Sequence, residues 1–245
     1  LNNPRETMKL KDLFPRLQLD AAPHKGPHPS KTKVRSMVEK CRADDSDDCR
    51  EIIAKGMLSA EQLHHAAERY RLGKSRSGKT IYWMIDERQR VLDGHIGDRW
   101  ASQMLKAREP TLLSHWCVTH CLFGLHLLTT PAEEDGGAHR TPPVAIVETE
   151  RSAVILSELF PEQVWMAGVT VANFTIDKLE PLRGRKVILC PSTDDTMTNY
   201  VAWLEMADMA RRCYHLDISV SNVLEEHATP DQKRREIDLV DFLFE

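Results

Sequence analysis

What this 245-residue chain lacks sets the first limits on its function. It has no excess of positive charge: 33 Lys and Arg stand against 37 Asp and Glu, a formal net charge of -4. A whole-protein basic field for nucleic acid is excluded, and any contact with a polyanion must use local patches. No apolar run approaches the roughly 18 residues a membrane helix needs, so no membrane partner is expected. The first residues, LNNPRETMKLKD, hold no apolar signal core, so no export signal is expected and the cytoplasm is the expected location. The six cysteines (Cys41, Cys49, Cys117, Cys121, Cys190, Cys213) are too sparse and irregular for a disulfide scaffold and are expected as reduced thiols. His115, Cys117, His120 and Cys121 crowd one short apolar segment. A structural zinc site usually draws two separated ligand pairs together, so no zinc is expected and these side chains are read as packed.

What is present is 41% hydrophobic and 29% charged residues, the composition of a globular protein with a real core. Residues 1–50 read as an arm with short helical stretches, Met8–Leu19 and Val34–Cys41, around the Pro-rich, basic AAPHKGPHPSKTK. Asp47 or Asp48 is the expected cap of the next helix. Residues 51–130 read as an α+β module. Leu58–Tyr70 is a helix with Ser59 as N-cap. TIYWMID and RVLDGHIG, rich in β-branched and aromatic residues and separated by ERQ, form a β-hairpin. Thr111–Leu128 is expected as a helix followed by a short strand. PAEEDGGAHRTPP is a loop. Residues 141–245 alternate strand and helix: VAIVE, Arg151–Leu159, VWMAG, Ile176–Leu182, KVILCP, Thr198–Cys213, YHLDISV and Asp231–Phe244. The expected class is α/β, with a mostly parallel sheet and helices on both faces.

Gly73–Thr80, GKSRSGKT, satisfies the phosphate-loop expression G-x-x-x-x-G-K-[ST] in full. Its context is reversed. A true phosphate loop follows a strand and opens a helix, whose N-terminus meets the anion. Here a helix precedes and a strand follows, so a basic turn entering a hairpin is the expected structure. A nucleotide-binding role for the motif is the third-ranked reading. The turn offers Lys74, Arg76 and Lys79 to a phosphate backbone.

Two strand ends carry acids. Glu148 ends VAIVE, with Glu150 two residues on, and KVILCP runs into Ser192-Thr193-Asp194-Asp195. Ligands of parallel α/β sheets bind beyond the carboxyl ends of strands, and oxygen ligands there suit magnesium. Acids in such places also serve as helix N-caps. VAIVETERSAVILSELFPEQVWMAG and KVILCPSTDDT resemble the two halves of a Toprim domain. More widely, ERYRLGKSRSGKTIYWMIDERQRVLDGHIG, CLFGLHLL and the closing ISVSNVLEEHATPDQKRREIDLVDFLFE are similar to primase-like Toprim proteins of bacterial mobile elements. The likeness spans most of residues 60–245.

The resemblance implies magnesium-assisted nucleotidyl or phosphoryl transfer. Glu148 would be acid/base and metal ligand, and Asp194 the second Asp of an Asp-x-Asp pair. Ser192 stands where the first Asp belongs, with Asp195 a possible substitute. The small residue or Gly that usually follows the acidic pair is replaced by Thr196-Met197. Arg151 takes a position often held by Lys, and Leu125 one often held by Glu. Two readings follow. One is an active primase-like transferase or phosphodiester-cleaving relative using Mg2+. The other is a catalytically impaired accessory protein that binds DNA or RNA, with replication or mobilisation proteins as partners. Its contacts would come from the turn at 73–79, from Arg183, Arg185 and Lys186, and from Lys233, Arg234 and Arg235. Under the first reading Glu148, Ser192 and Asp194 should converge within about 5 Å.

Overall fold

The computed structural model describes residues 45–103, 120–128, 142–168 and 175–245. The expected helices over Met8–Leu19 and Val34–Cys41, the helical part of 111–119, His115, Cys117 and most of the 131–143 loop lie outside them.

Helix α1 (Asp47–Ala54) begins the described chain. Its N-cap is Ser46, not Asp47 or Asp48, and no side chain caps it. Both acids look elsewhere. Asp47 accepts from the Thr80 amide at 2.8 Å and hydroxyl at 3.1 Å, and Asp48 from the Tyr82 hydroxyl at 2.9 Å. A long-range contact to a strand has outbid the local cap. Helix α2 (Ala60–Arg69) starts with a full capping box between Ser59 and Gln62.

An antiparallel four-stranded sheet follows in sequential order: β1 (Gly73–Lys74), β2 (Thr80–Ile85), β3 (Val91–Ile96) and β4 (Arg99–Trp100). The hairpin of β2 and β3 is the expected one, and the phosphate-loop look-alike forms the turn between β1 and β2. CLFGLHLL does not make a strand. It pairs once, Phe123 with Ala167, and then turns into a 3-10 segment, Leu125–Leu128.

The second sheet is parallel throughout. Its strands are β5 (Val144–Val147), β6 (Val164–Ala167), β7 (Lys186–Leu189) and β8 (Asp217–Val220), ordered β6-β5-β7-β8. β5 is buried along its whole length, as a doubly covered strand must be. Ala145 and Val147 face one core with α3 (Glu150–Leu159), α2 and β2, while Val144 and Ile146 face another with α4 (Thr198–Tyr214) and the 3-10 segment Ile176–Leu182. The protein is therefore α/β, with helices on both faces of the parallel sheet.

The first core runs from Cys49 and Tyr70 through Phe123 to Val154 and Trp165. The Tyr70 hydroxyl donates to the Trp165 carbonyl at 2.8 Å, and its ring stacks on Phe123. The upstream segment thus packs as the outer layer over one face of the parallel sheet. The chain's end is not the single helix expected over Asp231–Phe244. After α5 (Val223–His227) it breaks into α6 (Pro230–Arg234) and α7 (Leu239–Phe244). The break falls at Glu236, whose φ is +54°, and Asp238 then caps α7 through the amides of Val240 and Asp241.

Candidate functional site at the carboxyl edge of the parallel sheet

In a sheet ordered β6-β5-β7-β8, the chain leaves β5 towards β6 on one side and leaves the neighbouring β7 towards β8 on the other. A crevice opens beyond the strand ends at such a switch point, and ligands of open α/β sheets bind there. Glu148 follows β5 and Ser192 follows β7, so both stand at this crevice. They meet: Glu148 Oε1 accepts from the Ser192 amide at 3.1 Å and from the Ser192 hydroxyl at 2.8 Å. Burial raises the Glu148 pKa above its ordinary value, the Ser192 donors oppose this, and the charges of Asp238 and Glu236 add to it.

Asp194 behaves differently. Oδ1 accepts from the Thr196 amide at 2.8 Å, the Thr196 hydroxyl at 2.5 Å and the Thr198 amide at 3.0 Å; Oδ2 accepts from the Asn199 amide at 2.7 Å. Thr198 and Asn199 are the first residues of α4, whose amides the helix itself leaves unpaired. Burial alone would raise the Asp194 pKa, but the donors outweigh it and hold it below the ordinary Asp value. Asn199 links the two halves, since its side-chain amide donates to Ser192 Oγ at 2.9 Å. Asp195 is exposed on the turn.

As arranged, this donor set does not fit a magnesium ion. Asp194 has committed both oxygens to the helix start, and Ser192 spends its hydroxyl proton on Glu148. Hard cations of this kind are held mainly by carboxylate oxygens, and the donors that Ser192 supplies to Glu148 both go to Oε1. Among the described residues no group of three or more His, Cys, Asp and Glu side chains is placed to hold a metal ion.

The C-terminal helices roof this edge. Thr193 donates from its amide to the Ile237 carbonyl at 3.0 Å and from its hydroxyl to Glu225 at 2.8 Å. The Ser152 hydroxyl, in the first turn of α3, donates to Asp238. Asn199, Glu225 and Asp238 were not picked out from the sequence. Only the pattern DDTMTN, a carboxylate ahead of Thr and Asn at a helix start, carried a signal.

Most of the expected cations are engaged. Lys74 pairs with Asp45 at 2.5 Å and Lys79 with Asp47 at 3.0 Å. Arg151 reaches Glu51 at 3.3 Å. Arg183 pairs with Glu180 at 3.6 Å and lies over the Tyr214 ring, and Arg185 donates to the Leu128 carbonyl at 3.3 Å. Lys233 is tied to Glu225, Arg234 to Asp231, and Arg235 to Glu245 and Asp231. Arg76 and Lys186 are exposed. Arg183 and Arg185 precede β7 and Lys186 is its first residue, so they lie at the amino edge, the opposite end of the sheet from Glu148.

The GKSRSGKT turn has no helix behind it. Its first glycine makes room for an indole: a Cβ on Gly73 would come within 2.6 Å of Trp83 Nε1. Its second, Gly78, has φ +83° and closes the turn. Thr80 and Lys79 are both held by Asp47. The motif is satisfied by hairpin packing.

A further group of side chains sits beside Glu150. This carboxylate is buried at the start of α3 and bonds His95 Nδ1 at 2.8 Å. That bond raises the His95 pKa against the opposing effect of burial. His95 lies against Trp100, and Trp100 stacks on His120, whose Nε2 bonds Asp93 at 3.1 Å. Lys178 lies in the electrostatic reach of Glu150 and Cys121, and burial lowers its pKa to about 8. Cys121 is pushed up to about 12 by burial.

The fold and the crevice define an α/β protein with a carboxylate at the switch point of a parallel sheet. The chain belongs to a family described as a domain of unknown function (DUF6371), which matches residues 52–193. The matched stretch takes in the hairpin, Glu148 and Ser192 together and stops before Asp194. No curated protein matches the chain.

Proposed function

We propose that this protein is a Toprim-like nucleic-acid-binding protein, related to the primase-like proteins of mobile elements. It holds DNA or RNA at the carboxyl edge of its parallel sheet and does not run two-metal transfer chemistry. The observation that carries this reading is the Glu148–Ser192 contact at the switch point, with Asp194 committed to the start of α4. The sequence likeness supports the ligand class, and the crevice is where this reading puts it. Two-metal phosphoryl transfer needs carboxylates that fix ions on both the attacking and the leaving oxygen. One half-buried Glu and a serine do not supply them. Among the described residues no helix is long and apolar enough to cross a membrane, and a cytoplasmic role beside replication or mobilisation proteins is part of the proposal.

Fluorescence anisotropy with labelled single-stranded and duplex oligonucleotides tests it. Binding should be the same in Mg2+ and in EDTA. Because most basic side chains among the described residues are already paired, the salt dependence should be shallow, the release of only about one or two counterions. Binding that requires Mg2+ would contradict the proposal.

A second reading keeps catalysis. Glu148 is half-buried with a raised pKa, the state of a carboxyl group able to give and take a proton. Mg2+-dependent nucleotide transfer or strand cleavage that Glu148→Gln abolishes would favour it.

A further inference from the structure

Among the described residues the basic clusters are largely neutralised by neighbouring acids, so phosphate contacts from these clusters alone offer little affinity. The upstream sheet carries a different resource close to the crevice. His95, Trp100 and His120 form one continuous ring stack: His95 to Trp100 with centroids 4.8 Å apart and planes tilted 31°, Trp100 to His120 at 3.6 Å and 15°. Each terminal imidazole is anchored by a buried carboxylate. Glu150 holds His95 at 2.8 Å, and Asp93 holds His120 at 3.1 Å. Asp93 is itself fixed by the Gly94 amide at 2.8 Å, the Ser102 amide at 2.9 Å and the Ser102 hydroxyl at 2.6 Å. The two carboxylates are 7% and 0% exposed, whereas the two imidazoles remain 22% and 23% exposed.

This is an unusual use of an edge. β4 is only two residues long, and Trp100 sits in register with His95 across it. A core stack would close its ends with aliphatic side chains; this one ends in two polar rings that still meet solvent. Among the described residues no three His, Cys, Asp or Glu side chains are grouped to hold a metal ion, the stack included. Their anchored planes are instead preorganised for a flat partner, which then loses little freedom in binding. Glu150 connects the stack to the crevice, being two residues past Glu148 on the same turn into α3.

We propose that the His95–Trp100–His120 stack is a platform for unpaired nucleobases, which extend the stack at its imidazole ends and hold single-stranded nucleic acid against the carboxyl edge of the parallel sheet. This rests on the nucleic-acid reading above and specifies its ligand as single-stranded. Every base has a π-face, so the platform is tolerant of sequence. A base inside a duplex has both faces covered and cannot use it. A protonated His95 would add attraction for the adjacent phosphate.

The test uses the full chain with oligothymidylate, oligouridylate and a mixed-sequence duplex of equal length. Single strands should quench tryptophan fluorescence in the native protein, and Trp100→Phe should lose most of that quench while binding within about threefold. His95→Ala and His120→Ala should each weaken single-strand binding roughly 5- to 100-fold, the loss of one base–aromatic stack. Their duplex binding should not change. Circular dichroism confirms that each variant folds, and the native quench needs no variant at all. Equal single-strand affinity in the native protein and both His variants, or a quench that survives Trp100→Phe, would overturn the platform while leaving the nucleic-acid reading in place. Failure to bind any of the three probes would overturn both.

Discussion

Replacing Asp194 by Ala separates a structural carboxylate from a metal ligand. The variant removes the acceptor of three amides, those of Thr196, Thr198 and Asn199, and of the Thr196 hydroxyl. Loss of a helix cap costs about 0.5–2 kcal/mol, and a hydrogen bond to a charged acceptor about 1.5–3. These terms overlap, because water re-solvates the amides once the carboxylate is gone. A net loss of about 2–3 kcal/mol is expected, which lowers Tm by about 5–10 °C in a chain of this size. Asp194→Asn keeps one acceptor and should lose about half as much. Asp195→Ala, exposed on the same turn, should stay within about 0.5 kcal/mol of the native protein. Thermal and urea unfolding, each in EDTA and in millimolar Mg2+, would measure this, and the ranking should be the same in both. The cap also carries a pH signature. Its folded pKa lies below the ordinary Asp value, so its contribution is complete above that value and is lost as pH falls through the folded pKa. A neutral or stabilising Asp194→Ala in EDTA, with Mg2+ raising the Tm of the native protein alone, would refute the reasoning. That is how a cluster of repelling metal ligands behaves.

Other consequences are equally concrete. His126 is buried, its pKa is pushed down to about 4, and its Nε2–H faces the Arg69 carbonyl at 3.2 Å. A depressed histidine contributes stability above its unfolded pKa near 6.5 that drains away as pH falls towards 4, at most about 3 kcal/mol; urea unfolding across pH 7 to 4 should show this, and His126→Gln should flatten the loss. Met197 holds φ at +59° just before α4, where a side chain is strained. Met197→Gly should raise stability by about 0.5–1 kcal/mol, read as a higher urea midpoint. Gly73→Ala should cost about 1–3 kcal/mol by pushing a methyl into Trp83. Lys79→Ala, which loses only a surface pair with Asp47, should cost less than about 1 kcal/mol and leave ATP binding in calorimetry unchanged from the native baseline.

The parallel sheet was legible because β5, β6 and β7 are short apolar runs placed between helices, and that pattern has few other solutions. The hairpin was legible from its β-branched and aromatic content, and the order of the neighbouring elements showed that the phosphate-loop look-alike would form a turn entering it. What the sequence hid were bonds between distant residues. Asp47 looks like a cap until Thr80 is seen beside it. CLFGLHLL looks like a strand because its apolar residues serve two cores at once. The helix expected over Asp231–Phe244 breaks because Asp238 starts a second cap, a local contest that periodicity does not resolve. At the site, Glu148 was identified from a strand end and Ser192 from the Toprim resemblance, and the two do meet. Asp194 carried two readings, ligand and cap, and its partners Thr196, Thr198 and Asn199 all lie within five residues. The His95–Trp100–His120 stack draws rings from three places in the chain and had no signature in any one of them.

The central claim is that Ser192 and a committed Asp194 leave Glu148 without the partners needed to hold magnesium. Isothermal titration of the native chain with Mg2+ tests it most directly, with Ser192→Asp titrated alongside and both assayed for nucleotide transfer and strand cleavage. The account predicts no saturable Mg2+ binding at millimolar concentrations and no turnover in the native chain, with any gain of binding confined to Ser192→Asp. Saturable binding by the native chain, together with a Mg2+-dependent activity that Glu148→Gln abolishes, would contradict it.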